Sequence, residues 1–192
     1  MPDNKIIFLD RDGTINKEDG YITKVGQLEL YRGTVPALRM LNEAGYGIVI
    51  VSNQAGVAKG LLTESELMKI NNALLEMLGS ENIMVERLYY CPHHPDAVIP
   101  EYKKDCECRK PRTGMVQSAE KALNVSARGA YMIGDKLTDM ELAHNFGGKG
   151  ILLQTGYGKE EARKINSTAH NPVYIAGDIL DAVEWLKANN KL

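Results

Sequence analysis

Nowhere does this 192-residue sequence run for the roughly 20 consecutive apolar residues that a bilayer-spanning helix needs. Its first residues, MPDNKIIFLDRDG, lack the basic start and apolar core of a secretory leader. The expected place of work is therefore the cytoplasm, with no membrane partner. Excess charge of either sign is also missing, since a net charge of -2 gives no long-range pull toward nucleic acid. Cysteines number only three, an odd count that speaks against a disulfide framework in a reducing compartment. No GxxxxGK[ST] segment occurs, which argues against a Walker-type nucleotide enzyme. Repeats and low-complexity linkers are absent too, so residues 1–192 are expected to form one domain.

Short β-rich apolar runs alternate with segments of helical period, the pattern of a parallel sheet covered by helices on both faces. Strands are predicted at 6–10, 47–52, 85–91, 130–134 and 150–154, with a sixth near 173–175. Helices are predicted at 35–44, stopping at Gly45, and at 64–78, with Thr63 and Glu66 as a capping box and Gly79 as the stop. Others are predicted at 114–123, 138–146 and 179–188, the last capped by Asp178. Two polar segments are too long for plain connections. One, about 12–33, reads as a small flap over the end of the first strand; the other, 92–112, holds two cysteines, two histidines and four prolines and contains most of a cysteine loop set at about 91–110. TGYGKEEARK, from Thr155, follows a strand end and could touch substrate, though a Gly-rich turn is the plainer reading; His144 and His170 read as residues without partners.

In an open parallel sheet, ligands bind beyond the carboxyl ends of the strands. Those ends carry Asp10 with Asp12, Ser52 with Asn53, Cys91, and Asp135 with Lys136. Carboxylates gathered at one sheet edge repel one another unless a cation joins them, and a hard divalent ion such as Mg²⁺ takes one or two carboxylates together with phosphate and water. Mg²⁺ would let an ionised Asp10 approach a phosphate dianion. Asp12, turned elsewhere by Gly13, could exchange a proton with the leaving oxygen. The bland reading of the pair is a turn cap, because Asp-Gly is a common turn former.

Cys91 and His93 form a Cys-x-His pair, and Cys106 and Cys108 a Cys-x-Cys pair. Three thiolates and an imidazole make a closed tetrahedral set of the kind that holds structural Zn²⁺. His94 competes with His93; the Cys-x-His symmetry favours His93. Arg109 and Lys110 follow the last cysteine directly, so a metal there would fix where both cations point.

FLDRDGT, VSN, Lys110 and GDKLTD occur in the order found in the haloacid-dehalogenase (HAD) superfamily of phosphotransferases, which the chain resembles over most of its length. The resemblance implies a three-layer, Rossmann-like α/β fold with a central parallel sheet. It also implies an aspartyl-phosphate route, with Asp10 as nucleophile and Asp12 as general acid and then base. Mg²⁺ would sit on Asp10, the Asp12 backbone carbonyl and Asp135, with Ser52, Asn53 and Lys110 around the phosphoryl oxygens. The zinc loop, KEDGYI and CRKP are similar to the capless heptose-bisphosphate phosphatases of that superfamily, from about Lys5 to Tyr157. That likeness implies substrate contacts at Glu18, Asp19, Gly20 and Tyr21, at Ser52, Asn53, Gln54 and Ala55, and at Arg109, Lys110 and Lys136. It implies a sugar bisphosphate as the small-molecule partner, a monomer, and a place in heptose synthesis for lipopolysaccharide core or another glycan.

Three other readings compete. Histidinol-phosphatase domains share the nucleophile motif and a related zinc loop, but their substrate brings an amine where Arg109, Lys110 and Lys136 suit phosphates. A phosphoacceptor signalling module would carry its acceptor aspartate at the end of the third strand, the place Cys91 holds here. A zinc-organised interaction domain would leave the aspartates without a task.

Overall fold

A computed structural model of the protein describes residues 5–18, 20–165 and 170–192. Strands β1 (Ile6–Leu9), β2 (Gly47–Asn53), β3 (Arg87–Cys91), β4 (Tyr131–Gly134), β5 (Lys149–Leu153) and β6 (Tyr174–Ala176) form one sheet in the order β3-β2-β1-β4-β5-β6. Every pairing is parallel. Each predicted strand is present, with ends shifted by no more than two residues.

The helices are α1 (Thr34–Glu43), α2 (Ala55–Ala58), α3 (Glu64–Ser80), α4 (Gly114–Leu123), α5 (Leu137–Asn145), α6 (Gly158–Ala162) and α7 (Ile179–Ala188). Strand β1 is buried at all four positions, and successive side chains point to opposite faces. Ile7 and Leu9 join Leu38 and Leu41 of α1, Leu74 and Leu78 of α3, and Val183 and Leu186 of α7 in one core. Ile6 and Phe8 join Met115 and Val116 of α4 with Leu142 and Ala143 of α5 in a second core on the other side. Each fully buried Leu, Ile or Phe contributes about 1.5–3 kcal/mol, so the two cores fix the sheet between two helical layers. That is the α/β three-layer arrangement expected from the sequence.

Local signals account for most helix ends. Thr63 accepts from the Glu66 N–H at 3.2 Å while Glu66 Oε2 accepts from the Thr63 N–H at 2.7 Å. Asp178 caps α7 by accepting from the Asp181 N–H at 3.0 Å. Gly79 does not stop α3 as expected. The helix continues to Ser80, and Asn82, with φ 59°, takes the left-handed position beyond it. Burial of Leu78 keeps that last turn docked, at the tolerable cost of about 1 kcal/mol for a helical glycine. α2 and α6 were not expected; each is too short to show a helical period, and Gly158–Ala162 falls where a turn was predicted. His144 and His170, read as lacking partners, stack on each other with ring centroids 4.0 Å apart.

Segment 12–33 leaves the sheet and returns to it. Asn16 bridges Asp12 and Leu30, a 3-10 turn at Val25–Gln27 closes the far end, and Tyr31 N–H bonds Ile15 O at 3.2 Å. This is the segment read from the sequence as a flap. The chain turns outward from β1 to β2 and β3, then crosses back to β4 on the opposite side of β1. Such a reversal opens a crevice at the carboxyl ends of β1 and β4.

Candidate active site

Asp10 follows β1 directly, its N–H bonded to Ile133 O of β4 at 2.9 Å. Its Oδ1 accepts from the Arg11 N–H at 2.7 Å and lies 2.9 Å from Lys110 Nζ. Lys110 Nζ also lies 2.7 Å from Asp139 Oδ1 and donates to Val51 O at 2.9 Å. Lysine and both carboxylates are almost wholly buried. Burial alone would neutralise the amine, but the charges of Asp10 and Asp139 outweigh it and hold Lys110 above its ordinary pKa. Asp139 carries the opposite strain: burial lifts its carboxyl to about 6 although Lys110 opposes the shift. Buried charges of this kind are tolerable only as a set, because removing one leaves the others unpaired.

Asp135 follows β4 directly and is fully buried. Its Oδ2 accepts from the Tyr157 N–H at 2.8 Å, whereas Oδ1 has no hydrogen-bond partner. Burial, then the charge of Asp10, pushes its carboxyl up to about 8. Oxygens of Asp10, Asp135 and Asp139 lie within 4.8 Å of one another. A divalent cation fits this all-carboxylate group, because it would supply the orphaned Asp135 oxygen with a partner and offset the repulsion from Asp10. Gly13 passes so close that a Cβ there would overlap the Asp135 carboxylate, and its φ of +82° is open to glycine at little cost.

The Asp12 carboxylate does not join this group, whose third acid is Asp139. Asp12 turns to Arg11, whose Nε and Nη2 donate to its two oxygens at 2.8 and 2.7 Å. Asn16 Nδ2 and Gln54 Nε2 add bonds of 2.9 and 2.8 Å. Burial opposes the charge on Asp12, but the Arg11 guanidinium and these donors win and hold its carboxyl below the usual range. Arg11 is itself fully enclosed, with Nη1 donating to Asn71 Oδ1 of α3 at 2.7 Å.

A cavity of about 530 Å³ opens above these groups. Asp10, Asp12 and Lys136 line it from the strand ends, Lys110 from the loop before α4, and Glu18, Gly20 and Tyr21 from the flap. Ser52, Asn53, Gln54, Ala55 and Arg109 complete the expected set on its wall, while Asp19 lies outside the described residues. Ser52 Oγ accepts from Gln54 Nε2 at 2.8 Å, which leaves the hydroxyl proton free to donate. Asn53 is already engaged: its amide bonds the Lys110 backbone in both directions, at 3.0 and 3.1 Å. It holds Lys110 in place rather than presenting its amide to the cavity. Lys136 Nζ reaches Glu18 of the flap at 3.1 Å and sits 4.6 Å from the centre of the Tyr157 ring. Burial works against the Lys136 charge, but Asp10, Asp135 and Glu18 together raise its pKa.

Cys91, His93, Cys106 and Cys108 present ligand atoms within 4.8 Å of one another. The sulfurs stand 3.0 to 3.5 Å apart, beyond the about 2.05 Å of a disulfide. His93 Nδ1 lies 3.4 Å from Cys108 Sγ. This donor set fits a tetrahedral metal ion, and it contains His93; the His94 ring faces the cavity instead. Arg109 Nη1 donates to His93 O at 3.1 Å, so the metal loop and the cavity wall share an anchor. Tyr90 and Tyr102 both donate to Glu64 at the start of α3, at 2.9 and 3.1 Å, tying the loop to that helix.

Sequence reasoning missed Asp139 and Arg11. Asp139 stands in GDKLTD, four residues after Asp135 and so one helical turn on, which was a usable signal. Arg11 gave none, because an arginine between two aspartates reads as a solvated counter-charge until its burial is seen. Thr138 also lines the cavity and was not singled out; Tyr157 and Glu161 line it from the segment read more readily as a turn than as a substrate contact, and His94, weighed only as a metal ligand, lines it too.

Comparison with known proteins agrees with this geometry. A family model described as HAD-hydrolase-like matches residues 107–182, and one described as polynucleotide kinase 3 phosphatase matches residues 5–144. The D-glycero-beta-D-manno-heptose-1,7-bisphosphate 7-phosphatase of Salmonella typhi is 41% identical over 188 residues, covering 96% of each chain. The protein of the same name from Escherichia coli K12 is 36% identical over 188 residues, covering 96% of this chain and 95% of its own. A D,D-heptose 1,7-bisphosphate phosphatase from B. bronchiseptica, solved in complex with magnesium and phosphate, superposes with a TM-score of 0.84 at 28% identity, covering 96% of this chain and 99% of its own. The chain belongs to the HAD superfamily of phosphatases and, within it, to the D-glycero-beta-D-manno-heptose-1,7-bisphosphate 7-phosphatase family.

Proposed function

We propose that this chain is a Mg²⁺-dependent phosphatase that removes the 7-phosphate of D-glycero-D-manno-heptose 1,7-bisphosphate, the β anomer being the one in its relatives' names. The observation that carries the proposal is the meeting of Asp10, Asp135 and Asp139 oxygens within 4.8 Å of one another, one Asp135 oxygen having no partner, directly beneath a cavity that Asp10 and Lys110 line. Asp10, the Asp12 backbone carbonyl and Asp135 would hold Mg²⁺. When bound, that ion neutralises carboxylate and phosphate charge so that the two can meet.

The Asp10 carboxylate attacks phosphorus, forming an aspartyl-phosphate as the bond from phosphorus to the sugar oxygen breaks. Protonated Asp12 gives its proton to that departing oxygen. Ionised Asp12, the form favoured by Arg11, then takes a proton from the water that attacks the phosphoryl group and releases inorganic phosphate. Lys110 and Ser52 steady the phosphoryl oxygens, and Arg109, Lys136 and the flap residues Glu18 to Tyr21 hold the sugar end. Zn²⁺ on Cys91, His93, Cys106 and Cys108 would fix the loop that delivers Arg109 and Lys110.

In this reading residues 1–192 work as one domain, as a monomer in the cytoplasm, and the product serves heptose synthesis. Among the described residues no helix is long and apolar enough to cross a membrane, which agrees with it. The signalling-module alternative loses support because β3, where its acceptor would end, lies at the sheet edge and ends in metal-group Cys91. A phosphate-release screen over both anomers of the heptose bisphosphate, histidinol phosphate and simple sugar phosphates tests the proposal. Preference for the heptose bisphosphate is expected, and preference for histidinol phosphate overturns the substrate assignment.

A further inference from the structure

Cations around the cavity fall into two kinds. Lys110 is balanced by Asp10 and Asp139, and Lys136 by Glu18. Arg109 has no carboxylate partner among the described residues; only the His93 carbonyl takes one of its N–H groups. Lys59, just past α2, likewise has no acidic partner among them and rests 5.0 Å from the centre of the Tyr21 ring. His94 lines the cavity with Arg109 and Tyr21 and feels the charges of both Arg109 and Lys59, with Asp96 as the nearby acid.

The His94 ring is oriented by the backbone. Its Nδ1 accepts the Asp96 N–H at 3.0 Å, its own N–H bonds Tyr102 O at 3.1 Å, and its carbonyl accepts from Ala97 at 3.1 Å. A ring that accepts at Nδ1 carries its proton on Nε2, and Nε2 has no partner among the described residues. A fixed donor within the field of two unbalanced cations is a site for an anion. Because Lys110, paired with Asp10, marks the end where phosphoryl transfer occurs, the unbalanced group marks where a second anionic group would lie.

We propose that His94 is a specificity-determining residue: its Nε2–H, with Arg109 and Lys59, receives the phosphate of the substrate that is not transferred. This rests on the bisphosphatase reading above and adds to it the residues that would make the enzyme prefer two phosphates over one. The other ring nitrogen is held by a backbone amide, so the site needs no rearrangement to donate.

The test compares heptose 1,7-bisphosphate with heptose 7-phosphate as substrates for wild type, His94→Ala, His94→Gln and Lys59→Met, with zinc content measured for each. The ratio of kcat/KM for bisphosphate over monophosphate is expected to fall roughly tenfold in His94→Ala, as for a lost hydrogen bond to a charged group. The loss should lie in KM rather than kcat, and His94→Gln should recover part of it. Lys59→Met, outside the metal loop, should lower the same ratio by a smaller factor even if the histidine variants lose zinc. Ratios within twofold of wild type in both His94→Ala and Lys59→Met overturn this inference. A wild type that does not hydrolyse heptose bisphosphate instead overturns the proposed function, so the two failures are distinct.

Discussion

Lys110 Nζ lies 2.7 Å from Asp139 Oδ1, joining the residue that follows the metal loop to α5, with both side chains shut away from solvent. The same amine is 2.9 Å from Asp10, so one lysine holds two buried acids. Lys110→Met is therefore expected to cost about 3–5 kcal/mol, the penalty of leaving buried charges unpaired. Urea unfolding measures it. Adding Asp139→Asn to Lys110→Met should recover part of the loss, and a double variant less stable than the single one contradicts the pairing.

Asp12 is gripped by four donors from Arg11, Asn16 and Gln54 and has no place in the carboxylate group. Asp12→Asn should lower kcat by about 10²–10⁴-fold, the usual contribution of a positioned acid–base group. Magnesium affinity, followed by calorimetry, should stay within a few-fold of wild type. A loss of metal affinity with kcat preserved at saturating Mg²⁺ would assign Asp12 to the cation instead.

Asp135 sets a pH dependence whose sign is unusual for an acid. An unfolded aspartate titrates near about 3.9, whereas burial and the Asp10 charge bring this one to about 8. Between those values the metal-free native state holds a proton that the unfolded chain lacks. Stability should fall as pH rises across that window, by up to about 1.4 kcal/mol per pH unit from this group. Asp139, lifted to about 6, acts in the same direction at the acid end. Mg²⁺ competes with the proton, so its stabilisation should be larger near pH 8 than near pH 6. Thermal unfolding with and without Mg²⁺ reads both trends, and Asp135→Asn should flatten them.

Stripping metal from the Cys91, His93, Cys106 and Cys108 group should loosen residues 92–112 and displace Arg109 and Lys110 from the cavity. Hydrogen exchange in that loop is expected to rise on chelation and on Cys108→Ser, with phosphatase activity falling in parallel. Protection that survives complete zinc removal contradicts a metal-fixed loop.

Much of this was legible in the sequence because apolar strands that end abruptly in polar residues announce a parallel sheet and its ligand edge. The ends of β1 and β4 are of that kind, and Cys-x-His with Cys-x-Cys marked the metal group by spacing alone. Helix α2 and helix α6 escaped because four or five residues do not complete enough turns to show a period. The bonds of Asn53 to the Lys110 backbone were not legible, because an amide at a strand end looks free until that backbone is found against it. Arg11 and His94 depend on what folds around them: burial against Asn71 for one, a backbone amide from Asp96 for the other.

Hydrolysis of heptose 1,7-bisphosphate by Asp10→Asn, compared with wild type at equal zinc content and unchanged circular dichroism, tests the assignment of the nucleophile most directly. A fall of at least about a thousandfold in kcat is predicted, as expected for loss of a covalent nucleophile. Turnover at the wild-type rate would show that phosphorus never bonds to Asp10.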